Sequence, residues 1–255
     1  MNWDQLTSHE IDALDRNIPV MLPVAATEQH GAHLPVATDR MIGEYFCQQL
    51  RKEIPENVLI LPAMAVGCSE HHLDFRGSLT LSHDTFLRQA EEILGSVAHH
   101  GFKNLIILNS HGGNSAIATV IVEHFGNRHP ECRVVAATWW KITGNALFEL
   151  NETGEGGVGH AGEFETSLMM AIAPELVHHD KIEGKKNEPN FEWATGDLLR
   201  GPAASFYRSM KGNKPNGVFG EPQMISAEKG EKIKDIVVNA LKKIVLDMYH
   251  HQSDQ

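Results

Sequence analysis

Ile18-Pro-Val-Met-Leu-Pro-Val-Ala-Ala26 is an unbroken apolar run that leads into Thr27-Glu-Gln-His-Gly-Ala-His-Leu-Pro-Val-Ala-Thr-Asp39. A strand with one wet face alternates apolar and polar residues, so an unbroken run predicts a strand buried on both faces, as in a parallel sheet covered by helices. The polar stretch after it carries the carboxylates Glu28 and Asp39 and the imidazoles His30 and His33. In extended backbone, side chains two apart point the same way, so Glu28 and His30 face one point while Gln29 faces away. That is a metal-ligand arrangement. A Glu-x-His in a polar loop also arises by chance, so the remaining ligands must come from elsewhere in the chain.

Working outward, Thr38 to Ile54 places Met41, Ile42, Tyr45, Phe46, Leu50 and Ile54 at helical spacing, with Thr38 or Asp39 as cap. Val58-Leu-Ile-Leu-Pro-Ala-Met64 reads as a second buried strand, and 65–83 as a long loop holding Gly67, Gly77 and the pair His71-His72. Asp84 to His100 predicts a helix closed by Gly101. Asn104-Leu-Ile-Ile-Leu-Asn109 is a third strand, followed by Ser110-His111-Gly112-Gly113, a helix from Asn114 to Arg128, and a fourth strand, Cys132 to Thr138. Ala161 to Ala173 reads as a helix stopped by Pro174, and Ala227 to His250 as a final amphipathic helix. Asp180 to Pro222 is irregular, rich in Gly, Pro, Asn and Lys. Strands alternating with helices predict a three-layer α/β/α sandwich with a mostly parallel central sheet and right-handed crossovers. With 255 residues, one domain over 1–255 is expected.

The formal net charge of -11 argues against nucleic acid, because phosphate binding needs clustered Lys and Arg. Cys47, Cys68 and Cys132 are far apart with no C-x-x-C pair, which indicates neither a disulfide framework nor a thiolate zinc site and fits a reducing cytoplasm. The polar opening residues predict no secretory signal, and no apolar run has the length of a membrane span. Sixteen histidines is the unusual count, so position must decide which of them are ligands.

In open parallel sheets, ligands bind beyond the carboxyl ends of the strands. Three segments meet that condition: Glu28 to Asp39, His111, and Trp139-Trp140. A fourth, Gly159-His-Ala-Gly-Glu-Phe-Glu-Thr-Ser167, sets His160 and Glu163 at the opening of a helix, with Glu165 as a competitor. Helix-terminus electrostatics alone would also favour both glutamates there.

These segments resemble the creatininase family of amidohydrolases. Glu28-Gln-His-Gly-x-His-Leu-Pro with Asp39, Gly77-Ser-Leu-Thr-Leu-Ser82, Asn109-x-His-Gly-Gly-Asn114 and His160-Ala-Gly-Glu-x-Glu-Thr-Ser167 occur in that order. The resemblance implies a dinuclear site with Glu28 and His111 on one metal, His30 and Glu163 on the other, and Asp39 bridging. Zinc or manganese ranks ahead of iron or magnesium. It also implies His160 as the catalytic proton carrier, with Glu163 beside it, and Trp140 over the substrate; Gly112 and Gly113, and His72 by its position near the motifs, are the further candidates around the substrate. Creatininase itself has a Tyr and a metal-binding Glu where this chain has Gly112 and Gly113. The expected activity is metal-assisted C–N hydrolysis of a small cyclic amide or formamide by a ring-shaped homo-oligomer, hexamers being common in the family. A metallopeptidase and a catalytically inactive, metal-dependent assembly module are the alternatives.

Overall fold

The apolar run forms strand β1 (Val20–Val24), buried at every residue. The computed structural model describes residues 1–186, 191–194, 197–201 and 203–251. Strand β2 (Leu59–Ile60) pairs with β1 on one side; β3 (Asn104–Asn109) pairs on the other, with Val20 opposite Leu105 and Val24 opposite Asn109. Beyond β3 lies β4 (Arg133–Thr138), from Asn104 opposite Arg133 to Asn109 opposite Thr138. All pairings are parallel, in the order β2-β1-β3-β4. Helix α2 (Thr38–Glu53) joins β1 to β2, α3 (His83–His99) joins β2 to β3, and α4 (Ser115–Arg128) joins β3 to β4. The chain therefore steps to one side of β1 and then returns to the other. That reversal opens a crevice at the carboxyl ends of β1 and β3.

Successive strand residues go to opposite layers, which is why no alternation was visible in the sequence. Met21, Ile106 and Leu108 pack with Ile42 and Phe46 of α2 and with helices α6 (Glu163–Ile172) and α8 (Ala227–His250). Val20, Leu22, Leu105 and Ile107 pack with Phe86 and Leu94 of α3 and Ile121 and Phe125 of α4. Each such side chain contributes about 1.5–3 kcal/mol when removed from water. The result is the expected α/β/α sandwich. Among the described residues, no helix is long and apolar enough to cross a membrane.

Differences from expectation are local. Helix α6 starts at Glu163, two residues late, because Ala161 has φ +54 and cannot join a right-handed helix. Short helices α1 (Ser8–Asp12), α5 (Ala146–Leu150) and α7 (Met210–Asn213) were not anticipated. The first is closed by a reciprocal box in which Thr7 and Glu10 each accept from the other's backbone N–H. Part of the irregular stretch crosses the crevice, where Phe219 N donates to His160 O. Other parts of that stretch, 187–190, 195–196 and 202, lie outside the described residues.

Buried side-chain amides fasten the loops around the crevice. Asn114 accepts from Cys68 N at 2.9 Å and donates to Ala25 O at 3.0 Å, tying the long loop to the exit of β1. Gly67 makes this possible, since a Cβ there would sit 2.3 Å from Ala25 O and 2.6 Å from Asn114 Oδ1. Asn114→Ala strands two buried backbone groups and is expected to cost about 3 kcal/mol in urea unfolding. A loss under about 0.5 kcal/mol, the range of ordinary surface substitutions, would contradict this role.

Candidate metal centre

Thr27 to Asp39 leaves β1 and folds back over the crevice, carrying two buried carboxylates and a buried imidazole into it. Glu28 is 1%, His30 0% and Asp39 2% exposed. From the end of β3 comes His111, 3% exposed, positioned by Asn109, whose Oδ1 accepts from His111 N and whose Nδ2 donates to His111 O. Asp39 Oδ1 lies 3.2 Å from His30 Nε2, and Asp39 Oδ2 lies 3.0 Å from His111 Nδ1. Glu28 Oε1 is 3.3 Å from His111 Nδ1 and 3.4 Å from both His72 Nε2 and His160 Nδ1.

The far nitrogen of each imidazole fixes which nitrogen faces inward. His30 Nδ1 meets Glu28 O at 3.1 Å, His111 Nε2 meets Cys68 O at 3.1 Å, and His160 Nε2 meets Gln29 O at 2.6 Å. Each donates an N–H to a carbonyl, so His30 Nε2, His111 Nδ1 and His160 Nδ1 point into the cluster. The Gln29 amide donates to Gly217 O and His72 Nδ1, which leaves His72 Nε2 as the N–H directed at Glu28.

Of the expected residues, the structure gathers Glu28, His30, Asp39, His111, His160 and His72, and does not bring in Glu163. Adjacent helical residues are about 100° apart, so Glu163 and Glu165 diverge by roughly 200° and only one can face the crevice. Glu163 turns the other way. Its carboxylate accepts from Lys229 Nζ at 2.5 Å, Thr153 Oγ1 at 2.5 Å and the N–H groups of Glu152 and Thr153. Glu165 Oε2 lies 3.7 Å from His30 Nε2 and accepts from Ala161 N at 2.6 Å. The carboxylate presented to His30 is therefore Glu165, correcting the expectation for Glu163. Trp140 is likewise displaced from its expected place at the opening. It is 5% exposed, edge-on against Trp139 within the main core. Gly112 borders open space, whereas a Cβ on Gly113 would collide with Cys68 O and His111 Nε2.

Electrostatically the cluster is a set of mutually paired charges. Burial alone would raise the Glu28 carboxyl, but His111 outweighs it and holds Glu28 well below the usual carboxylate range. Burial opposes, and His30 and His111 likewise overcome, the same rise at Asp39. Burial would lower His30, but Asp39 reverses this and lifts it to about 9. His111 is raised well above its ordinary value, as Glu28 and Asp39 overcome burial. Burial pushes Glu165 up to about 7 and holds His160 well below the usual imidazole value.

These donors suit divalent cations. Among the described residues, Glu28 Oε2 and Asp39 Oδ2 are buried oxygens with no aligned hydrogen-bond donor. Ligand atoms of Glu28, His30 and Asp39 lie within 4.8 Å of one another, as do those of His30, His160 and Glu165. Glu165 and His71 are the residues that sequence reasoning set aside. Spacing could have flagged Glu165, because a glutamate at the third helical position commonly reaches back to the preceding backbone.

A parallel α/β/α sheet with carboxylates and imidazoles converging at its switch point is the architecture of an enzyme with a candidate site for divalent cations. Residues 4–245 match the family model Creatininase, described as creatinine amidohydrolase, and the chain belongs to that family of hydrolases. A creatinine amidohydrolase of Pseudomonas putida is 26% identical over 249 residues, covering 90% of this chain and 89% of its own. A mycofactocin precursor peptide peptidase of Mycobacterium ulcerans is 29% identical over 222 residues, 84% of this chain and 79% of its own. A mutant creatininase of Zn-Zn type superimposes with a TM-score of 0.80 at 25% identity, covering 98% of both chains.

Metal coordinates only unprotonated imidazole, so an ion entering the cluster at pH 7 displaces protons. Because His30 holds its proton up to about 9, apparent metal affinity should rise with pH toward that value. Calorimetric heats of metal binding should therefore shift with the ionisation enthalpy of the buffer. Heats identical in all buffers would contradict the charge assignment.

Proposed function

We propose that the chain, as one domain over residues 1–255, is a dinuclear metal-dependent amidohydrolase that cleaves a C–N bond of a small cyclic amide or formamide. The observation that carries this is the split of the Asp39 carboxylate, one oxygen toward His30 and the other toward His111. A carboxylate so divided would bridge two ions. Glu28 and His111 would hold one and His30 and Glu165 the other. Mixed carboxylate and imidazole donors suit zinc or manganese, and the Zn-Zn form of the related creatininase supports two ions.

When bound there, two such ions would supply an acidified water and a polarised carbonyl. The protein's own groups handle protons and exclude solvent. His160 turns Nδ1 into the cluster while its Nε2–H is held by Gln29 O. Burial keeps that imidazole neutral, and its inward Nδ1 is positioned to relay a proton to the departing nitrogen. Gln29 fixes the tautomer of His72, whose Nε2–H is directed at Glu28. The segment at Gly217 to Phe219 closes over these groups through bonds to Gln29 and His160.

The 29% identity to a peptidase favours a second reading, in which the scissile bond lies in a short peptide. Incubation with lactams, formylated amines and short peptides, with product amines read by mass spectrometry, separates the two. Free buried Cys47, Cys68 and Cys132 support a cytoplasmic setting, and exposed Leu73, Leu79 and Tyr207 support a homo-oligomer.

Two metal ions per chain are expected by elemental analysis. Asp39→Asn should lose both and reduce turnover by at least about a thousandfold, in keeping with loss of metal-assisted activation. Glu165→Gln should lose one ion, whereas Glu163→Gln should keep both while loosening the anchor at Lys229. A folded protein that takes up no divalent metal would overturn the proposal, and loss of an ion in Glu163→Gln would overturn the Glu165 assignment.

A further inference from the structure

The histidines around Glu28 are not equivalent. His30, His72, His111 and His160 each make a hydrogen bond that locks the ring. His71, half-buried beside them, makes none among the described residues. Its ring instead stacks on His111, with centroids 5.9 Å apart and planes 12° from parallel. Ligand atoms of Glu28, His71 and His111 all lie within 4.8 Å of one another. An imidazole without a hydrogen bond, beside a carboxylate and a second imidazole, has its lone pair unassigned in the folded chain.

The backbone is shaped to bring it there. His111 Nε2 meets Cys68 O and Ser69 Oγ, which pins the start of the loop leading to His71 against the metal centre. A Cβ at Gly113 would lie 2.1 Å from Cys68 O, 2.5 Å from His111 Nε2 and 3.1 Å from His71 Cε1. Only a bare backbone at 113 lets the 68–71 loop lie on His111. Gly113 thus serves to admit an imidazole from another loop.

We propose that His71 is a metal ligand, completing with Glu28, His111 and Asp39 the coordination of one ion; the inference rests on the dinuclear reading above. The two positions are then chemically unequal. One is offered two imidazoles and two carboxylates, the other His30, Glu165 and the shared Asp39. The nitrogen-richer position should prefer zinc or cobalt over manganese.

Cobalt titration of the metal-stripped full chain, followed in the visible spectrum, tests this with wild type, His71→Ala and His71→Cys. Wild type should take up two ions. His71→Ala should bind one of them at least about tenfold more weakly, since even removal of an outer partner of a ligand has that effect. Cobalt-loaded His71→Cys should gain a thiolate charge-transfer band absent from wild type, whose own three cysteines serve as the control. That band decides the question if the alanine variant fails to fold. Two ions in wild type, unchanged affinity in His71→Ala and no band in His71→Cys would overturn the ligand assignment and leave the dinuclear reading intact. No uptake by wild type would overturn both.

Discussion

The structure depends on a carboxylate buried between two imidazoles. Asp39 is 2% exposed and divides its oxygens between His30 and His111, with Glu28 as the second anion. Charges removed from water cost several kcal/mol each unless they are paired. The Thr27–Asp39 segment can therefore settle only where two basic groups meet it. The carboxyl edge of β1 and β3 is that place: β1 delivers Glu28 and His30, β3 delivers His111, and Asp39 sits in the first turn of α2, where the helix dipole also favours an anion. The same carboxylates that pair with the two imidazolium groups are the ones that would meet a divalent ion on displacement of those protons.

Outside this centre the chain spends its buried polar groups on position. Asn109 and Asn114 hold the loops on either side of His111. Lys229, near the start of α8, reaches back to Glu163 and also meets Glu152. Breaking such a buried pair by removing one partner costs about 3–5 kcal/mol. The pair holds the side of α6 turned away from the crevice, while Glu165 on the other side faces His30. Ala161 adds a left-handed residue just before this helix, with a backbone cost of about 1–2 kcal/mol that the surrounding contacts must offset. It carries His160 over the cluster on one side and donates its N–H to Glu165 on the other.

Much of this was legible in the sequence. The unbroken runs at Val20–Val24 and Asn104–Asn109 can be satisfied only by a sheet covered on both faces. The rule that side chains two apart face the same way, together with the strand ends, brought Glu28, His30 and His111 to one edge. What the sequence could not resolve was rotational phase. Glu163 and Glu165 both open α6, and what tells them apart is a distant partner, since Glu163 meets Lys229, 66 residues away. His71 was illegible for a related reason, since its placement depends on Gly113 and Cys68 meeting across the crevice. Trp140 follows a strand end in sequence but turns into the core with Trp139. The helix α1, by contrast, carried its signal openly in Thr7-Ser-His-Glu10, a reciprocal cap.

A solved member of the family shares this fold, and relatives at 26% and 29% identity bear the names of an amidohydrolase and a peptidase. The bridging role of Asp39 is the central claim, and anomalous diffraction from metal-loaded crystals tests it most directly. Two peaks should flank the Asp39 carboxylate, one beside Glu28 and His111 and the other beside His30 and Glu165. A single peak, or a pair of peaks not joined by Asp39, would contradict it.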